Sequence, residues 1–98
     1  MISAYKIIMT GLPPSFQCWN NVYTNIGNDP MGFPIYKLEA YNISFIPICG
    51  AYIYRKNGIW VLEREDGKPI YRDFRKQGSP PQDTPYGYWT EGGKVFPG

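Results

Sequence analysis

Short runs of apolar and aromatic residues, cut by glycine and proline, follow one another along the whole chain, and that punctuation predicts strands and turns. Tyr5-Lys6-Ile7-Ile8-Met9-Thr10 reads as the first strand, stopped by Gly11-Leu12-Pro13-Pro14. A second runs from Trp19 to Ile26 and ends in the turn-forming series Gly27 to Gly32. Pro34 to Tyr41 resumes extended structure, with Tyr36, Leu38 and Ala40 on one face and Lys37, Glu39 and Tyr41 on the other. Ile43 to Ile48 and Ala51 to Arg55 form either one strand bent at Pro47 or Gly50, or two. Asn57-Gly58 is a strong hairpin signal, because both residues tolerate the positive φ of a two-residue turn. Trp60 to Arg64 then returns, Glu65-Asp66-Gly67 turns again, and Pro69 to Phe74 follows. The remainder reads as a Pro-rich loop from Gln77 to Pro85, the aromatic run Tyr86-Gly87-Tyr88-Trp89, a turn at Gly92-Gly93 and a last strand over Lys94 to Phe96. No window of about eleven residues carries a helical period free of Gly and Pro. A single helical turn over Phe74 to Gln77 is the most that helix can claim.

One phrase occurs twice: Gly32-Phe33-Pro34-Ile35-Tyr36-Lys37 and Gly67-Lys68-Pro69-Ile70-Tyr71-Arg72. Each follows an acidic turn and a strand holding an aromatic, Tyr23 in the first case and Trp60 in the second. Pro opens the return strand, where its missing N–H is tolerated on an edge or just after a turn. Gly supplies the positive φ. Tyr36 and Tyr71 are expected to bury their rings and carry the hydroxyl to a partner near the sheet rim. The phrase is a hairpin signature, and convergent turn chemistry accounts for it as well as internal duplication does.

Composition agrees with this reading. The chain has 98 residues, nine Tyr, five Phe and three Trp, with eleven Gly and ten Pro. That length makes a single domain spanning residues 1–98, burying roughly two-thirds of its unfolded surface. We therefore expect an all-β fold, a small antiparallel barrel or sandwich of about six to eight short strands. The opening MISAYKIIMTG is too short in apolar residues for a signal peptide, and no stretch approaches the ~20 apolar residues of a membrane span. The expectation is a chain made in the cytoplasm and kept there or incorporated into a particle, with no membrane insertion. Cys18 and Cys49 are then expected to be reduced and buried, a disulfide between them being the alternative in an oxidising setting. Asn42-Ile43-Ser44 matches a glycosylation acceptor, which matters only on a secretory route.

Catalytic chemistry is poorly provided for. The absence of histidine removes the commonest general base and metal ligand, and any Cys-His or Ser-His pair. Two cysteines without histidine cannot complete a structural zinc site in a monomer. Glu63 and Glu65 share a strand face, and Asp29 and Asp66 occupy equivalent turns, but a glycosidase needs two carboxyls roughly 5–10 Å apart across a cleft. These acids read as solvated turn and strand-face groups. The expectation is a protein that is not an enzyme and uses no cofactor or metal.

An ordered series of motifs carries a family resemblance: Gly11-Leu12-Pro13-Pro14, Asn20-Asn21-Val22-Tyr23, Gly32 to Lys37, Tyr52-Ile53-Tyr54-Arg55, Gly58-Ile59-Trp60-Val61-Leu62, Ser79-Pro80-Pro81 and Gly87-Tyr88-Trp89. The series resembles a small β module that recurs in multidomain proteins of protists, algae, animals and some large DNA viruses. It covers about Thr10 to Trp89. Asn21-Val22 stands where that pattern has Asn-Gly, and Phe33 where it has Arg. The resemblance implies a β fold and no established catalysis or ligand. A WW domain is a poor match, since a long Pro-rich loop separates Tyr71 from Trp89.

Binding readings remain. Lys68 to Lys76 interleaves cations with aromatics, as nucleic-acid surfaces do, but a net charge of +2 is small and an edge strand protected by charge is the better account. Nucleic acid is therefore disfavoured as a partner. Protein–protein contact suits a chain rich in Tyr and Trp, with carbohydrate binding as the alternative. We expect a non-catalytic structural or interaction module, a building block of a larger assembly such as a virus particle. The expected contact residues are Pro80 and Pro81, on a stiff extended arm, and Tyr86, Tyr88 and Trp89 behind it.

Overall fold

Antiparallel pairing between successive segments organises the chain. The computed structural model describes residues 5–39, 41–43, 46–48, 50–74 and 93–95. Its strands are β1 (Lys6–Ile8), β2 (Val22–Asn28), β3 (Pro34–Leu38), β4 (Tyr41–Ile43), β5 (Ile46–Ile48), β6 (Ala51–Lys56), β7 (Ile59–Arg64), β8 (Pro69–Asp73) and β9 (Gly93–Val95). Seven of them form one sheet in the order β1-β2-β3-β6-β7-β8-β9, and β4 pairs with β5 separately. The main sheet thus keeps its strands in chain order, with the β4–β5 pair inserted between β3 and β6. It curls into a half-barrel, in agreement with the all-β expectation. Short closures of this kind bring strands together at low entropic cost.

The turns show why these residues reverse the chain where they do. Asn57 has φ 51° and Gly58 has φ 82°, so both central residues of the β6–β7 hairpin are left-handed, the geometry that matches strand twist. Both copies of the Pro-Ile-Tyr phrase open a return strand with proline as its first residue. Both hairpins carry an irregularity beside the phrase. Pairing passes from Asn25↔Tyr36 to Gly27↔Ile35 in one, and from Leu62↔Tyr71 to Glu63↔Pro69 in the other.

Register lines up the core. Tyr36, Ile53, Leu62 and Tyr71 are successive partners across β3, β6, β7 and β8. All four are almost completely buried. Each such side chain contributes roughly 1.5–3 kcal/mol by leaving water. The neighbouring row is Arg55, Trp60 and Asp73 on β6, β7 and β8. Ile7, Met9, Leu12, Phe16, Trp19 and Tyr23 extend the same core toward β1.

Some expectations are corrected. Trp19 does not begin a strand; it ends a short 3₁₀ helix, Pro14–Trp19. Proline at its start is pre-set for helical φ, and the segment is kinked at Phe16, where φ is −116° and ψ 21°. Phe16 and Trp19 are both buried, with ring centroids 5.7 Å apart. The run Ile43 to Ile48 is not a single strand, since Ile43 ends β4 and Ile46–Ile48 form β5, antiparallel to it; Ala51 to Arg55 is separate from it in β6, the second of the two alternatives. Strand β8 is not an edge, since it pairs with both β7 and β9; the charges of Lys68 and Arg72 do not guard an open rim. Tyr36 buries its ring as expected, but its hydroxyl finds no hydrogen-bond partner among the described residues. Burial pushes that hydroxyl's pKa up to about 12. Cys18 is half-buried beside the core rather than fully buried, and Cys49 lies outside the described residues. Phe74 is exposed and not helical, and the rest of the turn expected at Phe74 to Gln77 lies outside the described residues.

Candidate functional site

Three regions bear on function, and the first is the ionisable cluster on the face opposite the core. Residues 60 to 63 of β7 are all buried, so this strand is covered on both sides. Glu63 points away from Trp60 and Leu62 by strand alternation, yet it is only 5% exposed. The expectation of a solvated acid is therefore corrected. Tyr54 on β6 donates its hydroxyl proton to one carboxylate oxygen of Glu63. Lys56 donates to the other at 3.1 Å. An alternating strand explains the convergence, because Tyr54 and Lys56 sit two residues apart on one face of β6, beside β7. Burial, helped by the hydrogen bond to Glu63 and its charge, raises the Tyr54 pKa well above the ordinary tyrosine value.

The same face continues onto β3. Lys37 is the register partner of Tyr52, and its Nζ lies 5.3 Å from the Tyr52 ring centroid. Glu39 completes the group at 3.5 Å from Lys37 Nζ. The Tyr52 hydroxyl holds the Lys37 pKa above its usual value. Chemically this array is a set of satisfied donors and acceptors. A general base must offer a lone pair to a substrate proton, and both Glu63 oxygens already accept protein hydrogen bonds. Glu65 lies in the following turn and is exposed, and it does not join Glu63.

The remaining acids have local tasks. Asp29 Oδ1 accepts the backbone N–H groups of Met31 and Phe33, both at 2.9 Å. Asp66 Oδ1 accepts from Lys68 N at 3.1 Å, and Asp66 pairs with Arg64 at 2.9 Å. Such bonds stabilise turns rather than poise a catalyst. Among the described residues no cluster of His, Cys, Asp and Glu is arranged to hold a metal ion. No helix of the described residues is long and apolar enough to cross a membrane.

The second region is the aromatic–cation group on the core face. Phe33 meets Trp60 edge-on at 6.4 Å, and Arg55 Cζ lies 5.2 Å from the Phe33 centroid and 5.8 Å from that of Trp60. Phe33, at the position where the resembled module has Arg, thus serves packing. Trp19 and Trp60 are both buried, so neither ring is offered to a sugar. Asp73, fully buried as the register partner of Trp60, escaped the sequence reading because it sits in a run of surface-type charges.

The third region is the rim formed by β1 and β2. Ile8 and Val22 are register partners, 43% and 42% exposed, and form a small apolar pair on the face opposite the core. Tyr5 and Ile26 are exposed farther along the same strand pair. Beyond Ile8 a shallow surface depression is lined by Thr10, Gly11, Gln17, Asn20 and Asn21. Asn20 builds its floor by bonding both the N–H and the carbonyl of Leu12, at 3.0 and 3.2 Å. The residues expected from the sequence to make contacts, Pro80, Pro81, Tyr86, Tyr88 and Trp89, all lie outside the described residues. Lys6-Ile7-Ile8 alternates in exposure but not in polarity, so the sequence carried no signal that singled out the β1 rim.

No family model, curated protein or solved structure matches the chain.

Proposed function

We propose that this chain is a non-catalytic protein-interaction module, a small building block of a larger assembly, a virus particle being one setting that suits the resemblance of its motifs. The observation that carries this reading is the β1–β2 rim, where Ile8, Val22, Tyr5 and Ile26 are exposed beside a fully packed core. Apolar and aromatic side chains left at a strand pair's surface gain by meeting another protein. The acids support the same reading, since Glu63, Asp29 and Asp66 are engaged in the fold's own bonds. Recognition through the arm around Pro80 and Pro81, with Tyr86, Tyr88 and Trp89, belongs to the same proposal as a second contact.

Affinity isolation of the chain from its source material, followed by native mass spectrometry, tests this. A stoichiometric protein complex is expected, weakened by Ile8→Lys and Val22→Lys. A chain recovered alone and retained instead on immobilised glycans would replace this reading with the carbohydrate alternative.

A further inference from the structure

The edge strand β1 has a defined polarity of hydrogen bonding. Asn25 N donates to Tyr5 O at 2.8 Å, and Met9 N donates to Asn21 O at 3.0 Å. With the register Ile7↔Tyr23 between them, the main-chain groups of Tyr5, Ile7 and Met9 face β2. Those of Lys6 and Ile8 therefore face the other way. Strand β1 ends the sheet order, and β2 is its sole strand partner among the described residues. The side chains of Lys6 and Ile8 are exposed on the face opposite the core, and Lys6 makes no ion pair among the described residues. A row of outward N–H and C=O groups is a template for an added strand, and the Lys6 charge that deters an unselected strand favours one that brings an acid opposite it.

We propose that β1 receives an extended segment of a partner protein as an additional β-strand, the segment carrying an acidic residue opposite Lys6 and an apolar residue two positions away opposite Ile8. This rests on the protein-interaction reading and names its mode. Charge complementarity to Lys6 selects the acid. Strand alternation puts the apolar side chain beside Ile8 and Val22. A second copy of this chain is a poorer occupant. Its own β1 is three residues long and turns away at Gly11, so two copies joined there bury far less than the ~1,200 Å² of a stable interface. An extended peptide is free to continue past Ile8 into the depression lined by Gln17, Asn20 and Asn21.

The test uses the full chain and a short synthetic peptide in which glutamate and valine alternate with threonine. Hydrogen exchange of individual backbone amides is followed by NMR with and without this probe. At saturation, exchange at Lys6 and Ile8 is expected to slow about tenfold or more, while Ile7, already bonded to β2, is unchanged. Ile8→Pro removes an outward N–H without removing a bond to β2, and is expected to abolish probe binding. Lys6→Glu, a surface change that keeps the fold, is expected to weaken it by up to about fivefold at low salt. Unchanged exchange at Lys6 and Ile8 in the presence of the probe overturns the proposal. So does binding that ignores both substitutions, or protection that appears with protein concentration alone, which would assign the edge to a second copy. A stoichiometric complex from source material in which the two amides stay unprotected removes this inference and leaves the module reading standing; no complex at all removes both.

Discussion

The β2–β3 and β7–β8 hairpins are written with the same phrase and end up in different surroundings. In both, the tyrosine of Pro-Ile-Tyr is buried, and Tyr36 and Tyr71 fall on one row of the core. Opposite Tyr36 stands Asn25, and opposite Tyr71 stands Leu62. Opposite the prolines stand Asn28, which is exposed, and Glu63, which is buried. The unpaired residue at the irregularity is Ile26 on the outgoing strand of the first hairpin, but Ile70 on the return strand of the second. Ile26 is exposed as a result and Ile70 is buried. The shared phrase thus specifies a turn, a proline start and an inward tyrosine. Both hairpins lie one strand in from an end of the described sheet, so the strand each return strand pairs with decides what surrounds its tyrosine and proline. Unlike turn lengths and opposite bulges favour convergent turn chemistry over a duplicated unit.

The largest separation between the hairpins is expected at their outgoing aromatics. Trp60→Ala empties the central row and should cost about 3–5 kcal/mol in denaturant unfolding. Tyr23→Phe keeps the ring and loses the bond to the Trp19 carbonyl, at 2.8 Å, and should cost about 1 kcal/mol. Comparable losses would mean that Trp60 is not the centre of the core.

A second contrast is with pH. The Tyr36 pKa rises from 10.0 to about 12 on burial. Because burial penalises only the ionised form, stability is at its full value below the unfolded pKa and falls as pH climbs from there through the folded one. Between these values the wild type should lose about 1.4 kcal/mol more per pH unit than Tyr36→Phe does, measured by denaturant unfolding. At neutral pH Tyr36→Phe should be neutral or slightly stabilising, because the hydroxyl it removes is buried without a partner among the described residues. Parallel curves for the two proteins would show that the hydroxyl is solvated.

The smallest difference lies in the turns. Asp29→Ala removes two bonds to backbone N–H groups and should cost about 1–2 kcal/mol, while Asp66→Ala removes one such bond and an exposed ion pair, at about 1 kcal/mol or less. Thermal melting of the two variants side by side reads the order directly.

How much of this was legible in the sequence depends on the range over which each signal acts. Asn57-Gly58 and the two acidic turns specify their own backbone, so the hairpins followed from local chemistry. The shared inward face of Tyr36 and Leu38 followed from alternation. The 3₁₀ helix was hidden because its six residues are shorter than any helical period test, and Trp19 looked like a strand aromatic. Glu63 and Asp73 were misjudged for another reason. A charged residue is buried by what lies beside it in the sheet, Tyr54 and Lys56 for Glu63, and no neighbour in sequence announces that. The place of β1 at the end of the described sheet likewise depends on the strand order, which the strand pattern alone leaves undetermined.

The central claim is a division of labour: the Glu63 cluster holds the fold and the β1 rim holds the partner. Glu63→Ala, Lys6→Glu and Ile8→Pro, each carried through unfolding and through isolation of the native complex, test it most directly. The account predicts that Glu63→Ala costs about 1–2 kcal/mol, by taking the acceptor from the half-buried Tyr54 hydroxyl while exposed Lys56 turns to water, and that what remains folded keeps its partner. It predicts that both rim substitutions change stability far less, with Ile8→Pro losing the partner and Lys6→Glu weakening its binding by up to about fivefold at low salt. A complex that keeps full affinity through both rim substitutions and disappears with a still-folded Glu63→Ala protein would contradict it.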